Sequence, residues 1–443
     1  MSTSIQDKDA RFSGFNATPS HLSRPEHSEV VELKQHGYDY CYLNLLSIFG
    51  DKLPLERIRM LAAECTRMRL RQGSEFYTFL SNLPALIELQ SENGEAGSET
   101  IPVSLYGWNF ELLRSVLGKG KGLILCSHHF GLYRNIIVEM ALLGFKIWSF
   151  IDKASYDQTI AGFMAVNRSL NGRTGSTQVE GAVAETDLPI NLLCVDDPSF
   201  ARKVARALRR GEIVLVFIDG NTGWDGPWGN KSKTVIDFLG FPIAVKNGAA
   251  RLAATLDAPL LSILTPRTSD NSGQVVLGEP LIPPSRLRGA AREDFVHEAM
   301  QSLYGHLAKA LLERPEQWES SRSFHRWRVP SPAEPDSNSL EAEQREVTRL
   351  LGIGATFSID EKRFAHLESQ DGGVWIDVKR LKIYKHGERV EKVLQILAQQ
   401  NGINQSWIDH QGRKLDGENN IVPTLGYLKK LNQIVASSDE LSI

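Results

Sequence analysis

The stretch GLILCSHHFGLYRNIIVEMALLGFKIWSFI, residues 122–151, decides how this chain is organised. Its first five residues are a β-rich apolar run that follows the turn signal GKGKG. The segment LYRNIIVEMALL then repeats apolar residues at helical spacing, and Gly144 stands where a helix stops. FKIWSFI is the next strand candidate. The order strand, helix, strand is the repeating unit of a layered α/β sheet.

The same alternation continues downstream. NLLCV, EIVLVFID and PLLSIL read as strands, while FARKVARALRR, VKNGAARLAATL and the long REDFVHEAMQSLYGHLAKALLE read as helices. The predicted fold class is therefore α/β: a layered domain with a mostly parallel central sheet, buried on both faces and flanked by helices. Upstream, residues 28–89 are helical by the spacing of their apolar positions, and SENGEAGSE at 91–99 is a flexible connection. VPSPAEPDSNS has the composition of a linker. Beyond it, VWIDVKRLKIYKHG alternates like a hairpin, and GERVEKVLQILAQQ and TLGYLKKLNQIV read as helices. The predicted organisation is a disordered tail at 1–28, the α/β domain with its N-terminal helical segment at 29–329, a linker at 330–339 and a small α+β module at 340–443.

Of the 443 residues, 42% are hydrophobic and 23% charged, the balance of an ordinary soluble globular protein. A net charge of −3 gives no global field that would favour nucleic acid. Cys41, Cys65, Cys126 and Cys194 stand far apart with no C-x-x-C pair, which fits free thiols in a reducing compartment. The N-terminal residues lack the apolar core of a signal peptide. No window offers the ~18 apolar residues of a spanning helix. The nearest, residues 136–151, is broken by Glu139 and Lys146 and reads as a buried helix followed by a strand. The expected location is the cytoplasm, with at most peripheral contact at the inner membrane. P-loop, dinucleotide fingerprint, zinc spacing and the G-x-S-x-G elbow are all missing, so no cofactor or metal is expected and an ordinary serine hydrolase is disfavoured.

Open α/β sheets bind ligands beyond the carboxyl ends of their strands. The strand at 122–126 runs into Ser127, His128, His129, Phe130 and Gly131, with a helix expected at once. His129 would then project over the sheet edge, beside free N–H groups that favour a developing anion. Imidazole is also the side chain best suited to take a proton near neutral pH. A histidine that only caps the helix or pairs with backbone fits the same position.

The block at 122–144, followed in order by ALRRGEIVLVFIDGNTG, FLGFPIAVKNGAARLAATLDAPLLSIL and RPEQWESSRSFHRWR, resembles the lysophospholipid acyltransferase superfamily, specifically its bacterial lipid A lauroyl/myristoyl acyltransferase branch. The resemblance extends over residues 38–328. It implies transfer of a fatty-acyl-type group from an acyl carrier protein or coenzyme A thioester to a hydroxyl or amine acceptor. In the family motif H-x-x-x-x-E/D the histidine is general base and the carboxylate orients it. Matched onto this chain, His129 is the base, but Arg134 stands where the acid belongs, and counting from His128 reaches Tyr133. An arginine cannot accept the imidazole N–H. Three readings follow. Another acid substitutes, with Asp219 leading and Glu139 and Asp197 behind it. Alternatively His129 works without an orienting partner, several powers of ten more slowly. Or the site has lost catalysis and kept binding.

The remaining candidates depend on that resemblance. Backbone N–H groups of Phe130, Gly131 and Leu132 would stabilise the tetrahedral oxyanion. Arg202, Arg206 and Arg209, with Arg210 adjoining, fall on one face of FARKVARALRR, opposite Ala201, Val204 and Leu208. That stripe is either a solvated face or a guide for an anionic donor. Residues 217–240 read as a long loop carrying Asp219 and Asn221, in which Phe238, Leu239 and Phe241 line an acyl channel or belong to the core. In FHRWR, Arg326 and Arg328 would bind phosphate or close the domain. The catalytic candidates are thus His129, Asp219 and Arg134; the substrate-binding candidates are His128, Phe130, Gly131, Leu132, Asn221, Arg202, Arg206 and Arg326. A polar tail in place of the branch's membrane-anchoring helix, and the added module, favour a soluble or carrier-bound acceptor. The module faintly resembles the small winged-helix, PqqD-like modules that bind leader peptides, and a packing or dimerisation module has the same pattern. Alternative functions are a subunit that binds acyl chains or carrier protein without catalysis, and a peptide acyltransferase whose module holds the peptide.

Overall fold

The computed structural model describes residues 25–92, 104–173, 188–195, 197–220, 232–269, 272–329, 339–367, 374–384, 386, 388–400, 402–409, 421–431 and 433–437. Most of the tail expected at 1–28 and of the linker expected at 330–339 lies outside the described residues. The chain divides into two compact units, one of residues 1–38 and 61–329, the other of 39–60 and 330–443.

The described chain opens with helices α1 (His27–Gln35), α2 (Tyr38–Phe49) and α3 (Leu55–Glu92). The first unit then continues through β1 (Leu105–Tyr106), α4 (Phe110–Leu117), β2 (Leu123–Gly131), α5 (Ile136–Leu142), β3 (Ile147–Ile151), α6 (Lys153–Arg173), β4 (Ile190–Cys194), α7 (Phe200–Arg209) and β5 (Ile213–Phe217). It ends with β6 (Lys233–Phe238), β7 (Phe241–Lys246), α8 (Gly248–Leu256), β8 (Leu260–Thr265), β9 (Gly273–Gln274), β10 (Val276–Leu277) and α9 (Gly289–Glu313). Its main sheet has six strands in the order β10-β8-β2-β5-β3-β4. All are parallel except β10, which runs antiparallel to β8. Every strand and helix read between residues 122 and 265 lies in this layer or packs against it.

The composition of the strands explains their place. Leu123, Ile124, Leu125 and Cys126 of β2 form an unbroken apolar run and are completely buried, as a strand covered on both faces requires. Burying one such leucine or isoleucine stabilises the fold by roughly 1.5–3 kcal/mol. In α7 Val204 and Leu208 are buried as the spacing predicts, joined by Ala207, and Arg202, Arg206 and Arg209 are exposed; Ala201, expected on the packed face, is exposed because it stands in the first turn. Gly144 ends α5 with a φ of +85°, a left-handed conformation that glycine adopts without a Cβ clash.

Two local readings change. The strand that the sequence places at 122–126 runs on to Gly131, and a short 3-10 turn (Tyr133–Asn135) precedes α5. Residues 233–246, read as part of a loop, form the β6–β7 hairpin, paired from Lys233↔Lys246 to Phe238↔Phe241. Its turn holds Leu239 at φ +54° and Gly240 at φ +85°. Two successive positive φ values suit a tight hairpin, but the usual Asn-Gly or Asp-Gly signal is absent, and so the hairpin was hidden.

In the second unit, α10 (Leu340–Gly352), β11 (Thr356–Ile359), β12 (Phe364–Leu367), β13 (Val374–Asp377), β14 (Lys382–Tyr384), α11 (Glu388–Gln400), the single turn α12 (Gln405–Trp407), α13 (Val422–Lys430) and β15 (Ile434–Ser437) enclose their own apolar core. The expected hairpin is β13–β14, widened by β12 into a three-stranded antiparallel sheet. The end of the last predicted helix is instead the strand β15, paired with β11. Residues 39–60 cluster with this unit. Lys379 fastens them, donating to the Ser47 carbonyl at 3.2 Å and pairing with Asp51 at 2.7 Å. Among the described residues no helix is long and apolar enough to cross a membrane.

Candidate functional site

Strands β2 and β5 are parallel neighbours, and their register runs in step to Ser127↔Phe217. Two residues further along each chain stand His129 and Asp219. Beyond Ser127 the pairing of β2 with β8 is irregular until Gly131↔Thr265, and a bulge of this kind re-aims side chains. His129 Nδ1 lies 2.8 Å from Asp219 Oδ1. The His129 backbone N–H also donates to Asp219, at 2.9 and 3.1 Å to its two oxygens. From the opposite side the Trp318 indole N–H donates to Asp219 Oδ2 at 3.0 Å. The carboxylate is wholly buried, whereas the His129 side chain is 23% exposed.

Charge and burial oppose each other here. Burial alone would raise the Asp219 pKa, but the charge and hydrogen bond of His129 and the Trp318 indole outweigh it and hold the carboxyl below the usual carboxylate range. Burial alone would lower His129, and the Asp219 charge and hydrogen bond reverse that, so its pKa is raised. Of the three acids considered as partners, Asp219 touches His129. Glu139 instead accepts from the Ser104 N–H and hydroxyl and the Leu105 N–H. Asp197 accepts from Ser199 and pairs with Lys203.

His129 lines a cleft of about 650 Å³ whose walls include Phe76, Phe150, Phe163, Phe200, Val204 and Phe217. Arg134, Lys246 and Glu319 also line it. Tyr133 lines it as well, and Tyr133, Glu319 and Lys246 were not among the site candidates in the sequence. The Tyr133 ring meets His129 edge-on, 4.7 Å between centres, and its hydroxyl donates to Glu319 at 2.7 Å. Arg134 Nε–H donates to that same hydroxyl at 2.8 Å. The signals were present but unspecific, since a tyrosine beside the arginine and a Trp-Glu pair two hundred residues later carry no recognisable spacing.

Several expectations are corrected. His128, expected to touch substrate, points to the other face of β2, as strand alternation requires; it is fully buried edge-on to Tyr304 and lowered by burial to about 4. Phe130 is completely buried and bridges to Trp318. Gly131 accepts from Gln72 at 2.8 Å, and the Leu132 N–H donates to the Thr265 carbonyl at 2.8 Å. Phe130 and Gly131 are still strand and the Leu132 amide is bonded to Thr265, so the helix start expected there, with its row of free amides, is not formed at these residues. Phe238 is core, edge-on to Tyr304 and Trp318 and tilted against Phe324, and Phe241 lies under the Arg328 guanidinium at 4.2 Å; neither lines the cleft. Arg326 is half-buried in the 3-10 segment Glu319–Arg326 and also stands outside the cleft lining. Asn221 lies outside the described residues.

The basic stripe of α7 splits. Arg206, with Lys153, Lys203 and Arg210, lines a second cavity of about 500 Å³ that shares Phe163 and Leu192 with the first. Arg202 lines neither. Among the described residues no group of three potential metal ligands occurs. No family model matches the chain, and no curated protein matches it at a significant level.

Proposed function

We propose that the chain is an acyltransferase that moves an acyl group from a thioester donor to a hydroxyl or amine, with His129 as general base. The observation that carries this reading is the 2.8 Å His129–Asp219 pair opening on a largely apolar cleft. An ionised carboxylate only accepts hydrogen bonds, so Asp219 fixes the imidazole proton on Nδ1 and leaves the Nε2 lone pair for the acceptor. Nε2 takes the proton of the acceptor O–H or N–H as that atom attacks the thioester carbonyl. The C–S bond then breaks, and the thiolate leaves as a thiol with the proton returned from Nε2. Between the two steps the imidazolium rests against Asp219. The developing oxyanion falls to the Lys246 ammonium, which lines the cleft.

The aromatic and aliphatic walls suit an acyl chain, and the cleft volume lies in the range of ~300–1,000 Å³ usual for small-ligand sites. The adjoining basic cavity around Arg206 suits the anionic arm of an acyl carrier protein or coenzyme A donor. The His129→Ala variant is expected to lose ~10³-fold or more of thioester consumption while its circular dichroism and melting temperature stay unchanged. A panel of acyl-carrier and acyl-CoA thioesters read by mass spectrometry tests this; turnover at the parent rate in the folded variant would rule the reading out.

A further inference from the structure

Arg134 occupies the cleft with part of its guanidinium uncommitted. Its Nε–H donates to the Tyr133 hydroxyl, which in turn donates to Glu319, so one edge of the fork is fixed. The nearest carboxylate oxygen, on Glu319, lies 3.7 Å from a terminal nitrogen, beyond hydrogen-bonding reach and already holding the tyrosine proton. Neither terminal nitrogen donates a hydrogen bond to a described residue. The side chain is 30% exposed, so those donors have access to the cleft.

Arg134 also stands at a junction. Besides the His129 cleft it lines a smaller cavity of about 260 Å³, bounded by Gln72, Glu75, Phe79, Ser104, Asn135 and a second arginine, Arg267. The polar groups of that cavity serve one another or the backbone. Glu75 pairs with Arg267, Gln72 donates to the Gly131 carbonyl, Asn135 donates to Ser104, and Ser104 donates to Glu139. Arg267 directs both terminal nitrogens to Glu75, so of the two guanidinium groups lining the cavity Arg134 is the one whose terminal donors face it. A guanidinium fork held by one edge and open at the other matches a carboxylate or phosphate, which it binds through two parallel N–H···O bonds.

We propose that Arg134 is an anion subsite that selects an acceptor bearing a carboxylate or phosphate monoester. This rests on the acyltransferase reading for the identity of the ligand as acceptor. The His129 and Tyr133 ring centres are 4.7 Å apart, and Arg134 Cζ is 5.3 Å from the same Tyr133 ring, so base and cation lie within the span of one small molecule. The acceptor's anionic group docks on the open edge of Arg134, and its hydroxyl or amine, a few bonds away, reaches His129. The arginine in the motif position thus reads as a specificity residue, with the orienting role carried by Asp219.

The test needs no turnover. Inorganic phosphate and acetate are titrated separately into the full chain and into the Arg134→Gln and Arg134→Lys variants, with nitrogen-15 resonances of the His129 ring and the arginine Nε as readout. In the wild-type protein a saturable shift of both signals is expected. Arg134→Gln should weaken binding at least tenfold, and Arg134→Lys should retain phosphate better than acetate, since a point charge lacks the fork that a carboxylate uses. The ratio of the two wild-type affinities distinguishes a phosphate from a carboxylate acceptor. Equal binding in Arg134→Gln, or no saturable shift in the wild type, overturns the subsite. Thioester consumption measured on the same samples tests the acyltransferase reading independently, so the two can fail separately.

Discussion

In the proposed mechanism Asp219 is the residue on which the chemistry turns. It opposes the cost of burying a charged imidazole, and His129 is raised above the ordinary value of 6.5 as a result. A general base must be unprotonated, so the rate should fall as pH drops through that raised value. In Asp219→Asn, burial is left without its counterweight, so the acid limb of the pH–rate profile should move to lower pH. The maximal rate should drop ~10³–10⁴-fold, because the amide no longer selects the Nδ1–H tautomer. A profile whose limb stays in place would show that the carboxylate does not set the His129 pKa. The sequence made His129 legible by its position after a strand, and it made Asp219 a candidate. It ranked Asp219 ahead of Glu139 and Asp197 but could not bring any of them to His129, because that contact depends on which strand lies beside β2. Glu319 was invisible for the same reason, since its link to the site runs through a tyrosine hydroxyl.

At the scale of elements, the end of β2 does the positioning. Gly131 closes the irregular stretch at φ +63°, and a Cβ placed there would collide with the Thr265 carbonyl on β8. Gly131→Ala is therefore expected to destabilise the fold by roughly 3–5 kcal/mol, as a strained backbone and a steric clash combine. Calorimetry should show the melting temperature falling by many degrees, and a loss within the error of the measurement would remove the requirement for glycine. Apolar runs such as LILC and IVLVF announced the buried strands because nothing in them alternates. The continuation SHHFG did not, since its residues mix polar and apolar types and beyond Ser127 the strand regains register with β8 at Gly131↔Thr265 after an irregular stretch. That single misreading also placed the expected oxyanion amides at a helix start that lies further along the chain.

At the scale of the molecule, the second unit is discontinuous. Its core residues come from 330–443, but Leu45, Leu46, Phe49 and Ile58 of the segment that clusters with it are also buried. Helical periodicity located these helices correctly, yet periodicity carries no information about which distant core a helix joins. Removing residues 330–443 should leave the 39–60 segment without the partners that cover it. The shortened chain is expected to bind a hydrophobic dye and to scatter light at concentrations where the full chain does not; a monodisperse, dye-negative product would contradict this. The same arrangement has a consequence during synthesis. Helix α2 leaves the ribosome nearly three hundred residues before α10 exists, a delay of roughly 15–60 s at ordinary elongation rates of ~5–20 residues per second. Throughout that interval the core of the second unit is unfinished, so the 39–60 segment can take its place in that unit only after the C-terminal residues have been made.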